Sequence, residues 1–208
     1  MLVYTMTDEE KQKEAVEDIT EVNRYIKYGL YKKLHKGVKK FDIFPRIFKA
    51  SYVTKNNNKY FLMFRADSRN TFDKGYWVHA YTIMDSNEGK YAMIAVTQSG
   101  MFESFQIYTP HLFKRYTERY GLKMYEEERI HRFMEDSINL KYGGVKTKNG
   151  KAFGVVNGGA IFGDVKGFTI IFKTFVDDSL LRKEQVEYGE EVIDSFKERM
   201  NLFREVFG

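Results

Sequence analysis

The sequence predicts an α+β fold, in which an antiparallel meander sheet is combined with a long N-terminal helix, a central helical pair and a C-terminal helix. Three observations lead to this prediction. Apolar residues recur at helical spacing near both ends of the chain. Residues 46–108 are rich in β-branched and aromatic residues between short breaks of Gly, Asn, Asp and Ser. A second, glycine-punctuated strand region follows at 145–175. We interpret residues 1–208 as a single α+β domain.

The first element is a helical arm over residues 1–37. Thr7 precedes three acidic residues and predicts the N-cap, and Gly37 predicts the end of the helix. The buried stripe is predicted to contain Val16, Ile19, Val22, Ile26 and Leu30. Charge changes from acidic over residues 8–21 to basic over residues 24–49, an order that also suits the helix dipole. The excess of basic residues favours a surface that contacts phosphates, with candidate residues Lys32, Lys33, Lys39 and Lys40.

Residues 46–108 are predicted to form five strands joined by short loops, which makes an antiparallel meander. The helical pair is predicted over residues 109–141, and four more strand segments are separated by glycine-containing turns over residues 145–175. The last helix is predicted over residues 179–207, with an N-cap at "VDD" and Ser179 and a possible break at Gly189. Its docking face is predicted to contain Val192, Phe196, Met200, Phe203 and Val206.

The composition bounds the class of protein. There is no cysteine, the N-terminus does not resemble a signal peptide, and no apolar run is long enough to span a membrane. We therefore expect a cytoplasmic protein without a membrane partner. The formal net charge of +5 favours RNA or another polyanion as a partner, and a protein partner is the alternative. No zinc motif and no phosphate-binding glycine loop occurs, so we expect neither a metal nor a cofactor.

The sharpest functional question is raised by "YTPHLFKRYTERYG" at residues 108–121. Helical spacing places Leu112, Phe113, Tyr116 and Tyr120 on a buried side. The opposite side contains His111, Lys114, Arg115, Glu118 and Arg119. A neutral His in the first turn of a helix is a usable general base, and arginines one and two turns further on suit phosphate binding. The alternative is an ordinary solvated helix face, in which Lys114 and Glu118 form an i,i+4 pair.

The pattern H-x-x-x-R-x-x-E-R, formed by His111, Arg115, Glu118 and Arg119, is followed by a second helix and by strands that end in "IIFKTFVDD". Over residues 109–176 this arrangement resembles small toxin-related proteins of the BrnT and RelE type. The resemblance implies metal-independent cleavage of mRNA. It implies His111 as base, Arg115 and Arg119 as charge stabilisers and Glu118 as orienting group or acid. Lys114 and Lys173 are candidates for phosphate contacts, and the alternative for Lys173 is an outward-facing strand position.

The sequence therefore supports two hypotheses of different classes. The first is a nucleic-acid-directed protein of a mobile element or a defence system, with a metal-independent ribonuclease toxin as its enzymatic form. The second is a non-catalytic binding or accessory protein, or a structural component of a phage or plasmid. The sequence does not decide whether the protein is an enzyme, because the same helix face serves both hypotheses.

Overall fold

A computed structural model of the chain describes residues 1–74, 78–98, 101–139 and 145–194. These residues group into two units. The amino-terminal unit contains residues 1–87 and 91–105, and the carboxy-terminal unit contains residues 88–90 and 106–208. Both contain helices and strands, which confirms the predicted α+β class. The interpretation of the chain as a single domain stays a prediction.

The helical arm of the amino-terminal unit is confirmed, and it has three parts. They are α1 (Asp8–Tyr25), a π-helical turn (Ile26–Leu30) and α2 (Tyr31–Val38). The side chain of Thr7 accepts a hydrogen bond from the Glu10 amide, and the Glu10 carboxylate accepts one from the Thr7 amide. This capping box fixes the start of α1. One predicted core position is wrong, because Val16 is 40% exposed and Ala15 is buried in its place.

The predicted meander is also confirmed. Its five strands are β1 (Arg46–Val53), β2 (Lys59–Ala66), β3 (Val78–Ser86), β4 (Gly89–Gln98) and β5 (Met101–Tyr108). They follow one another across the sheet in chain order, and the β1–β2 and β2–β3 pairs are antiparallel. β2 faces the core over most of its length, and Leu62 and Phe64 have no exposed surface. A 3-10 helix, Thr71–Lys74, connects β2 to β3.

The carboxy-terminal unit contains the predicted helical pair and four strands. The helices are α3 (Pro110–Arg119) and α4 (Glu126–Asn139). The strands are β6 (Val145–Lys148), β7 (Lys151–Val156), β8 (Gly159–Lys166) and β9 (Thr169–Asp177). β6 to β9 form a second antiparallel meander, and β9 also lies next to the end of β5. The β6–β7 turn has positive φ at Asn149 and Gly150, as the Asn-Gly pair predicts.

The last helix, α5, is described over residues 183–194 and differs from its prediction at the start. The Asp177 carboxylate does accept a hydrogen bond from the Ser179 amide, but it caps a 3-10 turn, Asp178–Leu180. α5 begins only after this turn, and it continues through Gly189 without a break. Val192 is buried as predicted, whereas Phe196, Met200, Phe203 and Val206 lie outside the described residues. In the described ranges no helix has the length and apolar character needed to cross a bilayer.

Candidate functional site

The helix α3 has the two faces that its sequence predicts. The side chain of Thr109 accepts a hydrogen bond from the Leu112 amide at 3.3 Å, and Pro110 occupies the first helical position. Leu112, Phe113 and Tyr116 are buried, but Tyr120 is 42% exposed and does not complete the buried stripe. All five polar candidates are exposed, namely His111, Lys114, Arg115, Glu118 and Arg119.

Ion pairs within α3 involve most of its charged face. Glu118 lies 3.9 Å from the Lys114 ammonium and 3.8 Å from the Arg115 guanidinium. Hydrogen bonds from Ser179 lower the pKa of Asp177, and the charge of Arg119 lowers it further. Glu118 therefore has two cationic neighbours in the folded chain, and Arg119 lies near the carboxylate of Asp177. Such exposed pairs contribute at most about 1 kcal/mol each, so they leave the arginines available to a competing phosphate.

β9 packs against the buried face of α3. The Tyr116 ring lies 5.2 Å from the Phe175 ring, and the Tyr108 ring stacks on both Phe113 and Phe172. Lys173 therefore does not join the polar face of α3. Its ammonium binds Asp164 at 2.6 Å, and the Lys151 ammonium binds the same carboxylate at 2.7 Å. The structure brings the four catalytic candidates onto one helix face and places Lys173 elsewhere in the carboxy-terminal unit.

A second cationic surface lies in the amino-terminal unit. We define the lysine face of α2 as Lys32, Lys33 and Lys36 on the helix and Lys39 and Lys40 in the turn that ends it. All five are exposed, and the opposite side of the helix buries Leu34 and Val38. Lys39 lies 3.7 Å from Asp73. Among the described residues, the other four lysines have no ion pair.

One histidine beside this face was missed by sequence reasoning. His35 Nε2 lies 2.5 Å from the Asp73 carboxylate, and the Tyr31 hydroxyl donates to the Phe72 carbonyl at 2.6 Å. The hydrogen bond from His35 lowers the pKa of Asp73, and the charge of Lys39 adds to this shift. These contacts fix α2 on the 3-10 helix. Asp73 lies 38 positions away along the chain, so no local pattern could have indicated the pair.

A groove in the carboxy-terminal unit was not predicted either. It has a volume of about 430 Å³ and lies between the β6–β7 turn and the first half of α5. We call it the aromatic groove, because the rings of Phe153, Phe162 and Tyr188 line it. Its remaining lining residues are Lys148, Asn149, Lys151, Ala152, Glu184 and Gln185. None of these residues belongs to α3.

Comparison with known proteins identifies no relative that could indicate the function of these surfaces. No family model, no curated protein and no solved structure matches the chain. The resemblance to BrnT- and RelE-type toxins, and the catalytic roles that it implies, therefore stay predictions. Within the described ranges, no three His, Asp or Glu side chains are grouped so that they could hold a metal ion.

Proposed function

We propose that this protein binds nucleic acid through the lysine face of α2. The observation that supports this function is the unpaired charge on that face. Four exposed lysines, Lys32, Lys33, Lys36 and Lys40, have no acidic partner among the described residues. Uncompensated lysines on one surface attract a polyphosphate chain, and the release of its counterions drives binding.

The geometry of α2 suits a linear polyanion. Lys32 and Lys36 are one helical turn apart, which corresponds to a rise of about 6 Å along the axis. The turn after α2 extends the same surface to Lys39 and Lys40. Contacts of His35 and Tyr31 with the 3-10 helix anchor α2 beside this face, so the lysines are presented on a fixed scaffold. A fixed array loses less entropy on binding than lysines on a disordered segment do.

The test measures affinity for a single-stranded RNA of twelve uridines and for a DNA duplex as a function of salt. Four phosphate contacts predict a slope of about −3 in a plot of log K against log salt for the single strand. Binding should then weaken about 50-fold between 50 and 200 mM salt. The variant that combines Lys32→Glu, Lys33→Glu, Lys36→Glu and Lys40→Glu should lose both the affinity and the slope.

The matched control makes the same number of reversals at scattered exposed lysines, namely Lys13, Lys55, Lys123 and Lys166. Its net charge equals that of the first variant. We expect it to retain most of the affinity, because the contacts on α2 remain. Equal losses in the two variants would mean that overall charge and not the lysine face governs binding. No binding of either nucleic acid by the wild-type protein would favour the accessory or structural alternative.

A ribonuclease activity at α3 is the second candidate function. The observation that favours it is the exposure of His111 and Arg115, which lie one helical turn apart on the same face of the helix. In this mechanism His111 removes the proton of a ribose 2′-hydroxyl and the 2′-oxygen attacks phosphorus. Arg115 and Arg119 stabilise the charged intermediate. The 5′-oxygen leaves with a proton from an acid, for which Glu118 is the candidate, and a 2′,3′-cyclic phosphate remains.

This candidate predicts that induced expression slows bacterial growth, as in toxins of mobile elements and defence systems. His111→Ala and Arg115→Ala should restore growth without changing the thermal stability of the protein. Purified protein should convert RNA to fragments with cyclic phosphate ends in the presence of a chelator. Unchanged growth on induction of the wild-type chain, together with intact RNA in the purified assay, would contradict the ribonuclease hypothesis. It would not affect the proposed binding function.

A further inference from the structure

We propose that the aromatic groove of the carboxy-terminal unit is a nucleotide-binding site that takes an adenosine monophosphate-like ligand. This site is separate from the lysine face of α2, and the inference does not depend on that proposed function. Nothing in the sequence motifs indicated it. The groove joins aromatic rings, amide side chains and lysines within one cavity, and these are the three groups that recognise a base, its polar edge and a phosphate.

The rings form the apolar part of the groove. Phe153 on β7 is almost fully buried, with 7% of its surface exposed. The rings of Phe162 on β8 and Tyr188 on α5 both lie 5.2 Å from that of Phe153, at interplanar angles of 77° and 73°. Phe153 therefore forms the floor, and two half-buried rings stand steeply against it. Such rings offer a flat base a stacking surface.

The packing beneath the rings makes this surface rigid. Phe153, Ala160 and Val192 form a buried cluster, and Phe162 and Tyr188 pack against it. Strand register fixes Phe153 opposite Phe162 in the β7–β8 pair. Because neither ring must be ordered when a ligand arrives, stacking does not cost the entropy of fixing them.

Cationic groups lie at the turn end of the groove. Lys148 and Lys151 flank the Asn149-Gly150 turn, and Lys148 is exposed without an ion pair among the described residues. Lys151 shares the Asp164 carboxylate with Lys173, at 2.7 and 2.6 Å. Two lysines thus oppose one carboxylate, and positive charge is left over beside Lys148. A phosphate placed at this end therefore meets a net positive charge, although the Asp164 carboxylate lies beside Lys151.

Polar and acidic side chains of α5 line the side of the aromatic groove that lies opposite the β6–β7 turn. Gln185 accepts a hydrogen bond from the Arg182 amide at 2.9 Å, which fixes its amide group and leaves its NH₂ as a donor. Glu184 also lines the groove, and its carboxylate is an acceptor that suits the exocyclic amino group of adenine. The charge polarity therefore orients the ligand, with the base toward α5 and the phosphate toward the β6–β7 turn. The volume of about 430 Å³ lies in the range of small-ligand sites.

The experiment titrates the full chain with adenosine monophosphate, adenosine and ribose 5-phosphate by calorimetry. We expect the monophosphate to bind more tightly than either fragment, because only it engages both ends of the groove. Tyr188→Leu should weaken the binding of the monophosphate and of adenosine by about 5- to 150-fold, the range for the loss of one stacking contact. Lys148→Glu should weaken the binding of the monophosphate by about 1.4- to 5-fold and leave the binding of adenosine unchanged.

The control is Lys166→Glu at the end of β8, which changes the net charge equally at a residue that does not line the groove. Circular dichroism verifies folding of the Tyr188 and Lys148 variants, and Lys148 is exposed at the end of β6. Three results would overturn the proposal. They are no heat of binding at millimolar monophosphate, equal affinity for ribose 5-phosphate, or equal weakening by the Lys148 and Lys166 variants. The four reversals on α2 should leave this affinity intact, which separates the two sites.

Discussion

Asn58 connects three segments of the amino-terminal unit although only 3% of its surface is exposed. Its side-chain oxygen accepts a hydrogen bond from the Leu2 amide at 2.6 Å. Its side-chain nitrogen donates to Glu14 at 2.7 Å and to Asp18 at 2.6 Å. Asp18 is a carboxylate with 1% exposure, and Asn56 donates to its other oxygen. The buried acid is therefore stabilised by two amide side chains of the β1–β2 turn.

We expect Asn58→Ala to lower the free energy of unfolding by about 2–4 kcal/mol, because it removes one of the two amide donors to the buried Asp18 carboxylate and leaves the Leu2 amide without a partner. Urea unfolding followed by circular dichroism measures this change. The adjacent Asn57→Gly is the control. Asn57 is exposed with φ of 60°, a conformation that glycine adopts readily, so its replacement should change stability by less than about 0.5 kcal/mol. Similar losses in both variants would contradict the proposed role of the network.

This residue also shows what the sequence could not indicate. The stretch "KNNN" correctly predicts a polar turn between two strands, because Asn is common where φ is positive. Nothing in three identical residues indicates that one is exposed with a positive φ and that another is buried against α1. That difference depends on where α1 lies, and the partners Glu14 and Asp18 are 44 and 40 positions away.

At the scale of the element, strand β9 contains a β-bulge that determines which residues it can pair with in β8. The register of β8 and β9 shifts between Phe162 and Gly163, so that Phe162 pairs with Thr174 and Gly163 with Phe172. Lys173 is the extra residue of this bulge, and its ammonium binds Asp164. A side chain at Gly163 would overlap the carbonyl oxygen of Ile171. Glycine is therefore required at this position of the bulge, where the backbone of β9 leaves no space for a side chain.

Gly163→Ala should destabilise the protein by about 2–3 kcal/mol or more, since the clash is with the backbone and not with a flexible side chain. Gly37→Ala is the matched substitution in α2, where an added Cβ meets no atom within 4 Å. We expect this change to stabilise the protein by about 0.5–1 kcal/mol, because alanine favours the helix more than glycine does. Thermal unfolding of both variants tests the pair, and a neutral Gly163→Ala would show that the bulge is not constrained.

The periodicity of the sequence predicts the helices and turns well, because their form depends on residues that are close together in the chain. The faces of α3 follow from spacing within ten residues, and the Asn149-Gly150 turn follows from two. The errors lie where packing decides between neighbouring positions. In α1, Ala15 is buried and Val16 is exposed. Tyr120 directly follows the last residue of α3, and its side chain is exposed. The start of α5 was misplaced because Asp177 caps a 3-10 turn, which has the same sequence signal as a helix.

For the molecule as a whole, the candidate sites fall into two groups. The residues of some sites are close together in the sequence, and those of the others are far apart in it. The polar face of α3 and the lysine face of α2 are each contained in one short segment, and both were predicted. The His35–Asp73 pair, the Asp164 cluster and the aromatic groove each join segments that fold together only in three dimensions. The local pattern of a single sequence contains no signal for such pairs. The groups with the strongest electrostatic coupling were for this reason the least predictable ones.

That coupling predicts how acid affects the protein. Hydrogen bonds from Lys151, and next those from Lys173, lower the pKa of Asp164 from 3.8 to about 2. Between these values the folded chain binds fewer protons than the unfolded chain does, so the contribution of Asp164 to stability is complete above about pH 4 and is lost toward pH 2. Asp164→Asn should therefore lower the stability at pH 7 and reduce its fall between pH 4 and pH 2. Lys151→Gln should reduce that fall in part, because one of the two donors remains. Urea midpoints measured across this range test both variants, and parallel curves for the wild-type protein and the Asp164→Asn variant would show that Asp164 titrates alike in the folded and unfolded chains.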